Sequence, residues 1–172
     1  MTVLPGADAH ADAAGHVDAH AHADADADAD GHPAETGGRQ RIAAYGLCRD
    51  GDGRVLLVRA APSTHLAGQW FLPGGGLGFG EDPEDGLARE FVEETGLTVR
   101  AAALRAVLSD VSVLPSRVRV HTIRMIYRVS LFDGEPRPEV AGSTDDVRWV
   151  SSDLLATLPV ADYARRALSA FA

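Results

Sequence analysis

The stretch from residue 75 to residue 97, GGLGFGEDPEDGLAREFVEETGL, constrains the fold of this 172-residue chain more than any other. Its glycines suit a tight turn, and Asp82 after them suits a helix N-cap because its carboxylate can accept a backbone N–H. Pro83 fits the first helical position, where its missing N–H costs no hydrogen bond. Gly96 fits the end, since glycine readily adopts the left-handed conformation that closes many helices. The stretch therefore predicts a glycine-rich turn and a helix that begins at about Pro83 and stops at Gly96.

Helical periodicity divides the side chains of this predicted helix into two arcs. The arc expected to pack contains Leu87, Ala88, Phe91 and Val92, and the other contains Glu90, Glu93 and Glu94. Like charges at this spacing repel by a few tenths of a kcal/mol per pair, so the glutamates need either solvent or a cation beside them. Clustered carboxylates suit Mg²⁺ or Mn²⁺, which bind oxygen ligands. A solvated helix face and a metal site are the two interpretations that the glutamates leave open.

The rest of the chain predicts alternating strands and helices. Apolar runs rich in Val, Ile, Leu and Tyr predict strands over residues 42–49, 54–59, 98–111, 118–132 and 147–150. Amphipathic segments predict helices over residues 153–158 and 160–170, the first capped by Ser151 or Ser152. Residues 74–76 are three glycines, which we expect to form a loop whose backbone approaches a ligand closely. The pattern indicates an α/β domain of one core.

Composition limits the environment and the partners of the chain. The formal net charge is −9, and the first 41 residues contribute −6 of it. Duplex nucleic acid is an unsuitable partner, because its binding needs clustered positive charge. One cysteine, Cys48, excludes an internal disulfide. No run of 18 apolar residues predicts a membrane span, and the N-terminus lacks the basic segment followed by a hydrophobic one that a secretory signal needs. We therefore expect a cytoplasmic protein.

Residues 1–38 form a separate region of low complexity, dominated by Ala, Asp and His. They lack the apolar periodicity that would bury a face, so we expect a disordered tail before a domain spanning residues 39–172. Five histidines lie in this tail: His10, His16, His20, His22 and His32. Their irregular spacing disfavours a specific metal site, and deletion of residues 1–36 is expected to leave the activity of the domain intact.

The stretch 75–97 also matches, without a gap, the pattern G-x5-E-x7-R-E-U-x-E-E-x-G-U, in which U is a bulky apolar residue. The matching residues are Gly75, Glu81, Arg89, Glu90, Phe91, Glu93, Glu94, Gly96 and Leu97. The chain thus resembles the Nudix hydrolases. The resemblance implies an α/β/α sandwich with a central mixed sheet between helical layers. It also implies hydrolysis of a nucleoside diphosphate linked to another moiety, X, by attack of metal-assisted water on phosphorus.

The same resemblance implies roles for the residues of the motif. Glu90, Glu93 and Glu94 would bind Mg²⁺ or Mn²⁺, and Glu90 is also a candidate for orienting or deprotonating water. Arg89 is expected to be a structural partner that positions the glutamates. Glu81 would join a second metal ion or pair with Arg89, and a backbone carbonyl of the glycine run, such as that of Gly75, could complete the coordination.

Four further residues are candidates for contact with a small nucleotide substrate. Arg59 and His65 lie where Nudix enzymes that clean nucleoside triphosphate pools carry phosphate and base contacts, although His65 also suits an exposed loop. Trp70 could stack on a base or pack under the glycine run, and packing is favoured. Asp146 resembles a late acid of the family, where glutamate is commoner, and its shorter side chain weakens it as a general base.

Two other functions within the same fold need consideration. One is a non-catalytic Nudix-like domain that senses a nucleotide or sugar nucleotide, but such domains usually lose the carboxylates that are complete here. The other is prenyl diphosphate isomerisation, for which Cys48 in a predicted strand is poorly suited. Many members of the family pair into homodimers, and the sequence leaves the oligomeric state open.

Overall fold

A computed structural model describes residues 38–170, so the predicted tail, apart from Gly38, lies outside the described residues. The strands are β1 (Gly38–Leu47), β2 (Val55–Ala60), β3 (Trp70–Phe71), β4 (Gly74–Gly76), β5 (Thr98–Val113), β6 (Arg119–Asp133) and β7 (Thr144–Val150). The helices are α1 (Pro83–Thr95), α2 (Ser152–Leu155) and α3 (Asp162–Ala170). The longest described helix, α1, has 13 residues, and no helix within 38–170 is long and apolar enough to cross a membrane.

The strands form two sheets. The larger sheet has the order β4-β1-β6-β5 and is mixed, because β1 runs parallel to β6 while its other pairs are antiparallel. The smaller, antiparallel sheet has the order β3-β2-β7. The mixed sheet with helices beside it confirms the predicted α/β class.

Alternate residues of β1 supply two separate hydrophobic cores, as the two-residue period of a strand requires. The first core contains Ala43, Tyr45 and Leu47 of β1 with Ala164, Ala167 and Leu168 of α3. The second contains Ala44 and Cys48 with Leu87 and Phe91 of α1. The two helices are therefore packed against opposite faces of β1, which gives the layered arrangement expected from the resemblance.

The ends of α1 are those predicted. Asp82 has extended backbone angles and accepts the Glu84 N–H at 2.8 Å, and Pro83 begins the helix. Gly96 has φ 71° and donates its N–H to the Val92 carbonyl, as a left-handed C-terminal residue does. These local signals fix where the glutamates lie along the helix.

The buried face of α1 differs from the predicted arc. Leu87 and Phe91 are buried, but Val92 is 46% exposed and Glu94 is only 4% exposed. Glu94 follows Leu87 by seven residues and Phe91 by three, so it shares their side of a 3.6-residue helix, whereas Val92 is rotated away. The expectation that all the glutamates lie opposite the packed face was wrong for Glu94.

The three glycines expected as a loop instead form β4. Gly74, Gly75 and Gly76 pair with Tyr45, Ala44 and Ala43 of β1. Other corrections are at element ends: β1 starts four residues before residue 42, β5 continues to Val113, and β7 starts three residues before residue 147. Long-range pairing extends these strands beyond the apolar runs that predicted them.

Candidate active site

The edge strand β4 and helix α1 bring the glycines and two of the glutamates together. The Gly74 N–H donates to Glu94 Oε2 at 2.9 Å. Next to it, a Cβ added at Gly75 would lie 2.5 Å from Glu90 Cδ and 2.6 Å from both carboxylate oxygens. The absence of a side chain at Gly75 therefore makes the space that the Glu90 carboxylate occupies.

Arg89 connects the remaining carboxylates of the motif. Its Nε donates to Glu81 at 2.8 Å, and its Nη1 donates to Glu90 at 2.9 Å and lies 3.5 Å from Glu93. Its Nη2 reaches the Gly76 carbonyl at 3.4 Å. One guanidinium thus contacts three carboxylates and the edge of β4.

Glu94 has the most perturbed electrostatics in this group. Desolvation by burial is the largest cause that raises its pKa. Together with the negative charges of Glu90, Glu139 and Glu93, and against the hydrogen bond from the Gly74 N–H, it raises the pKa of Glu94 to about 8. A carboxylate in this environment costs free energy when it is ionised without a nearby cation. The position therefore favours either a protonated side chain or a positive charge beside it.

Glu90 and Glu81 respond differently to the same arginine. Burial raises the pKa of Glu90, and the hydrogen bond and charge of Arg89 only partly oppose this. Glu81 is more open to solvent, and its hydrogen bonds from Arg89 and the Gly78 N–H lower its pKa to about 2. Glu81 is therefore a permanent counter-ion of Arg89, while Glu90 and Glu94 are carboxylates that lack full compensation.

The donor set fits an open divalent-cation site better than a closed one. Within residues 38–170, no three Asp, Glu, His or Cys side chains are arranged as a metal cage. Mg²⁺ does not need one, because it usually keeps several waters and is held by one or two carboxylates with substrate phosphates. The carboxylates of Glu90 and Glu94, whose charges are not fully compensated, are oxygen ligands of the kind that such an ion binds.

Three of the four candidate substrate residues form a second group. Arg59 forms a bidentate ion pair with Asp145 at 2.7 and 3.2 Å and lies 3.8 Å from Asp146. Asp146 also accepts from Arg148 Nε at 3.2 Å. The guanidinium carbons of Arg59 and Arg148 lie 5.8 and 5.3 Å from the centroid of the Trp70 ring.

Trp70 packs in the core, which is the alternative that the sequence analysis favoured over stacking on a base. Its side chain is 3% exposed and belongs to the core that contains Leu72 and Val160, which leaves no ring face for a base. His65 is exposed in the turn between β2 and β3, as its alternative interpretation expected. The Asp146 carboxylate lies 3.8 Å from Arg59 and also pairs with Arg148, so two arginines share it.

Glu139 is the acidic residue that the sequence analysis missed. It lies between β6 and β7, accepts the Thr144 N–H at 3.2 Å, and contributes to the raised pKa of Glu94. The sequence signal that could have found it is an acid shortly before Trp149 of β7. Both Glu139 and Asp146 satisfy this signal, and Asp146 is the nearer of the two to that tryptophan. Glu139 is therefore close enough to Glu94 in the folded chain for its charge to act on that carboxylate.

Comparison with known families now decides the classification. The model of the NUDIX domain matches residues 39–171, which is most of the chain. This protein belongs to the Nudix family. As a Nudix hydrolase it has its motif in β4, α1 and the turn between them, where the carboxylates gather.

Individual relatives agree with the family assignment. A Mycobacterium tuberculosis protein, whose name gives 8-oxo-dGTP diphosphatase as its expected activity, is 37% identical over 107 residues, 58% of this chain and 73% of that protein. A MutT-like protein of Streptomyces ambofaciens is 30% identical over 129 residues, 75% of each chain. The crystal structure of a MutT NUDIX hydrolase from Burkholderia pseudomallei superimposes with a TM-score of 0.64 at 25% identity, covering 78% of this chain and 99% of that one.

Proposed function

We propose that this Nudix hydrolase cleaves a diphosphate bond in a nucleoside diphosphate linked to X, with Mg²⁺ or Mn²⁺ as its cofactor. The single observation that carries the metal assignment is the buried Glu94, whose carboxylate lies beside Glu90 with a backbone N–H as its hydrogen-bond donor. Such a group gains most when a divalent cation arrives, because the cation removes the repulsion between the carboxylates. Glu93, on the solvent side of the helix, would complete the ligand set.

The metal would supply Lewis-acid neutralisation of the phosphate oxygens and lower the pKa of bound water. The protein residues then have separate tasks. Glu90 and Glu94 would hold the cation, and Gly75 leaves room for the Glu90 carboxylate. Arg89, fixed by Glu81, orients Glu90 and Glu93 from the side. Glu90 and Glu139 are the carboxylates available to orient or deprotonate the attacking water.

The substrate class proposed first is a nucleoside triphosphate. The relative from Mycobacterium tuberculosis is named for an activity on 8-oxo-dGTP, which is a nucleoside triphosphate, and this supports the choice. Arg59 is the side chain of the second group that can contact a phosphate or a base, because its guanidinium is part-exposed beside Asp145. Nucleotide sugars are the second substrate class, since they contain the same diphosphate group.

A release assay tests this proposal. Purified protein is incubated with nucleoside triphosphates and nucleotide sugars in Mg²⁺, in Mn²⁺ and in EDTA, and phosphate and diphosphate are measured. We expect turnover of at least one compound that depends on the metal. Metal-independent binding without turnover of any compound would instead support the sensor function.

The paired variant Glu93→Gln with Glu94→Gln tests the residues. Glutamine preserves the shape and removes both charges, so we expect a loss of kcat of roughly a hundredfold or more. Glu84→Gln is the matched control, because Glu84 is an exposed glutamate on the first turn of the same helix. Unchanged turnover of the double variant, with the control also active, would refute the assignment of these carboxylates.

A further inference from the structure

Arg41 lies on the opposite face of β4 from Glu90. In the register of the sheet, Ala43 pairs with Gly76 and Ala44 pairs with Gly75, so Gly75 and Gly76 point to opposite faces. A Cβ added at Gly75 would meet Glu90, whereas one added at Gly76 would lie 2.9 Å from Arg41 Nε and 3.0 Å from its Nη2. The Arg41 guanidinium therefore lies directly on the glycine beside the carboxylate group.

Four other arginines of the two sheets and of α1 already have carboxylate partners. Arg59 pairs with Asp145, Arg89 with Glu81 and Glu90, Arg124 with Asp110, and Arg148 with Asp146. The hydrogen bonds and ion pairs formed between residues 38–170 do not include the Arg41 guanidinium. Arg41 is exposed, and its positive charge acts on Glu90 without a hydrogen bond between them.

We propose that Arg41 binds a phosphate group of the substrate across the edge of β4 from the carboxylates. This inference rests on the proposed function, which brings a chain of phosphates to that edge. The guanidinium presents several N–H donors in a planar fork that matches the oxygens of a phosphate. The carboxylates and their cation would then contact one phosphate while Arg41 contacts another, so the substrate spans the narrow strand.

Gly76 is part of the same arrangement. Its carbonyl accepts from Arg89 on the carboxylate side, and its Cα allows the Arg41 guanidinium to approach from the other side. A methyl group at this position would displace the guanidinium by a few tenths of an ångström or more, although the charge would stay. Gly76→Ala therefore separates the position of Arg41 from its charge.

The experiment measures binding and kinetics on the full chain. Calorimetry with inorganic diphosphate and Mg²⁺ gives a Kd that does not depend on turnover, and steady-state assays give KM and kcat on the best nucleotide. For Arg41→Ala we expect Kd and KM to rise about tenfold, the size of one lost charge-assisted hydrogen bond, with kcat nearly unchanged. Arg41→Lys should recover part of this loss, and Gly76→Ala should show a smaller rise.

Arg54→Ala is the matched control, because Arg54 lies in the β1–β2 turn, pairs with Asp50 and Asp52, and carries the same charge. We expect it to keep the Kd and KM of the parent protein. Mn²⁺ affinity measured by electron paramagnetic resonance should not fall in Arg41→Ala, because Arg41 acts on Glu90 as a positive charge and is not a metal ligand. If Arg41→Ala binds diphosphate as tightly as the parent protein, or loses kcat at constant KM, the inference is refuted. If the parent protein hydrolyses no nucleotide, the proposed function fails, while the diphosphate Kd still decides the role of Arg41.

Discussion

Replacement of Gly75 by alanine tests the geometry of the carboxylate group most directly. The new Cβ would lie 2.5 Å from Glu90 Cδ, whereas ordinary contacts begin at 3.4 Å, so the carboxylate must move by about 1 Å. A displacement of about 1 Å at a reacting centre can cost on the order of a hundredfold in rate. Gly75 has no positive φ, so the substitution changes the available space rather than straining the backbone.

The expected result for Gly75→Ala is a loss of kcat of about a hundredfold with a smaller loss of stability. Overpacking typically costs about 1–3 kcal/mol, and the flexible end of Glu90 can absorb part of it. The assay is metal-dependent nucleotide hydrolysis, with thermal unfolding followed by circular dichroism to show that the variant is folded at the assay temperature.

Gly51→Ala is the matched control, because Gly51 lies in the β1–β2 turn with no atom within 4 Å of an added Cβ. It should retain both the rate and the melting temperature of the parent protein. A folded Gly75→Ala variant with a kcat close to that of the parent protein would refute the reasoning that the position of Glu90 matters for turnover.

Two further predictions concern the tail and the cysteine. Deletion of residues 1–36 should leave kcat and KM within about twofold, because β1 begins at Gly38, and a large loss of turnover in the same assay would contradict this. Cys48 is 1% exposed, and burial, with a smaller contribution from Asp50, raises its pKa to about 11, so at pH 8 about one thiol in a thousand is ionised. Because its pKa in the folded protein lies above the ordinary thiol value of about 9, this thiol should cost stability only as the pH rises above about 9. Iodoacetamide at pH 8 should label urea-unfolded but not native protein, as measured by intact mass. Equal labelling of both forms would show that Cys48 is accessible.

The boundaries of α1 could be predicted because their signals are local. Asp82, Pro83 and Gly96 act within one turn of the backbone, and the structure has the helix where they indicate. The face of the helix could not be predicted from the same residues. Glu94 is buried and Val92 exposed because α1 is packed beside β4 and β1, and the side chains of those strands are distant in sequence.

The candidates for substrate contact were predicted from their positions in the chain and not from signals in the neighbouring residues. Trp70 is a core side chain because β3 pairs with β2, and Asp146 is compensated by Arg59 and Arg148. Glu139 was missed because it is near Glu94 only in the folded chain. Each of these outcomes depends on contacts that no motif encodes.

By itself, the sequence determined the Nudix motif, the start and end of its helix and the α/β class, since these follow from neighbouring residues and their periodicity. Only the tertiary structure decided that the glycines 74–76 form an edge strand, that Glu94 is desolvated, and that Arg41 lies across Gly76 from Glu90. The physical reason is that burial and charge compensation depend on which side chains meet after the strands pair. Those contacts join residues that are tens of positions apart in the chain.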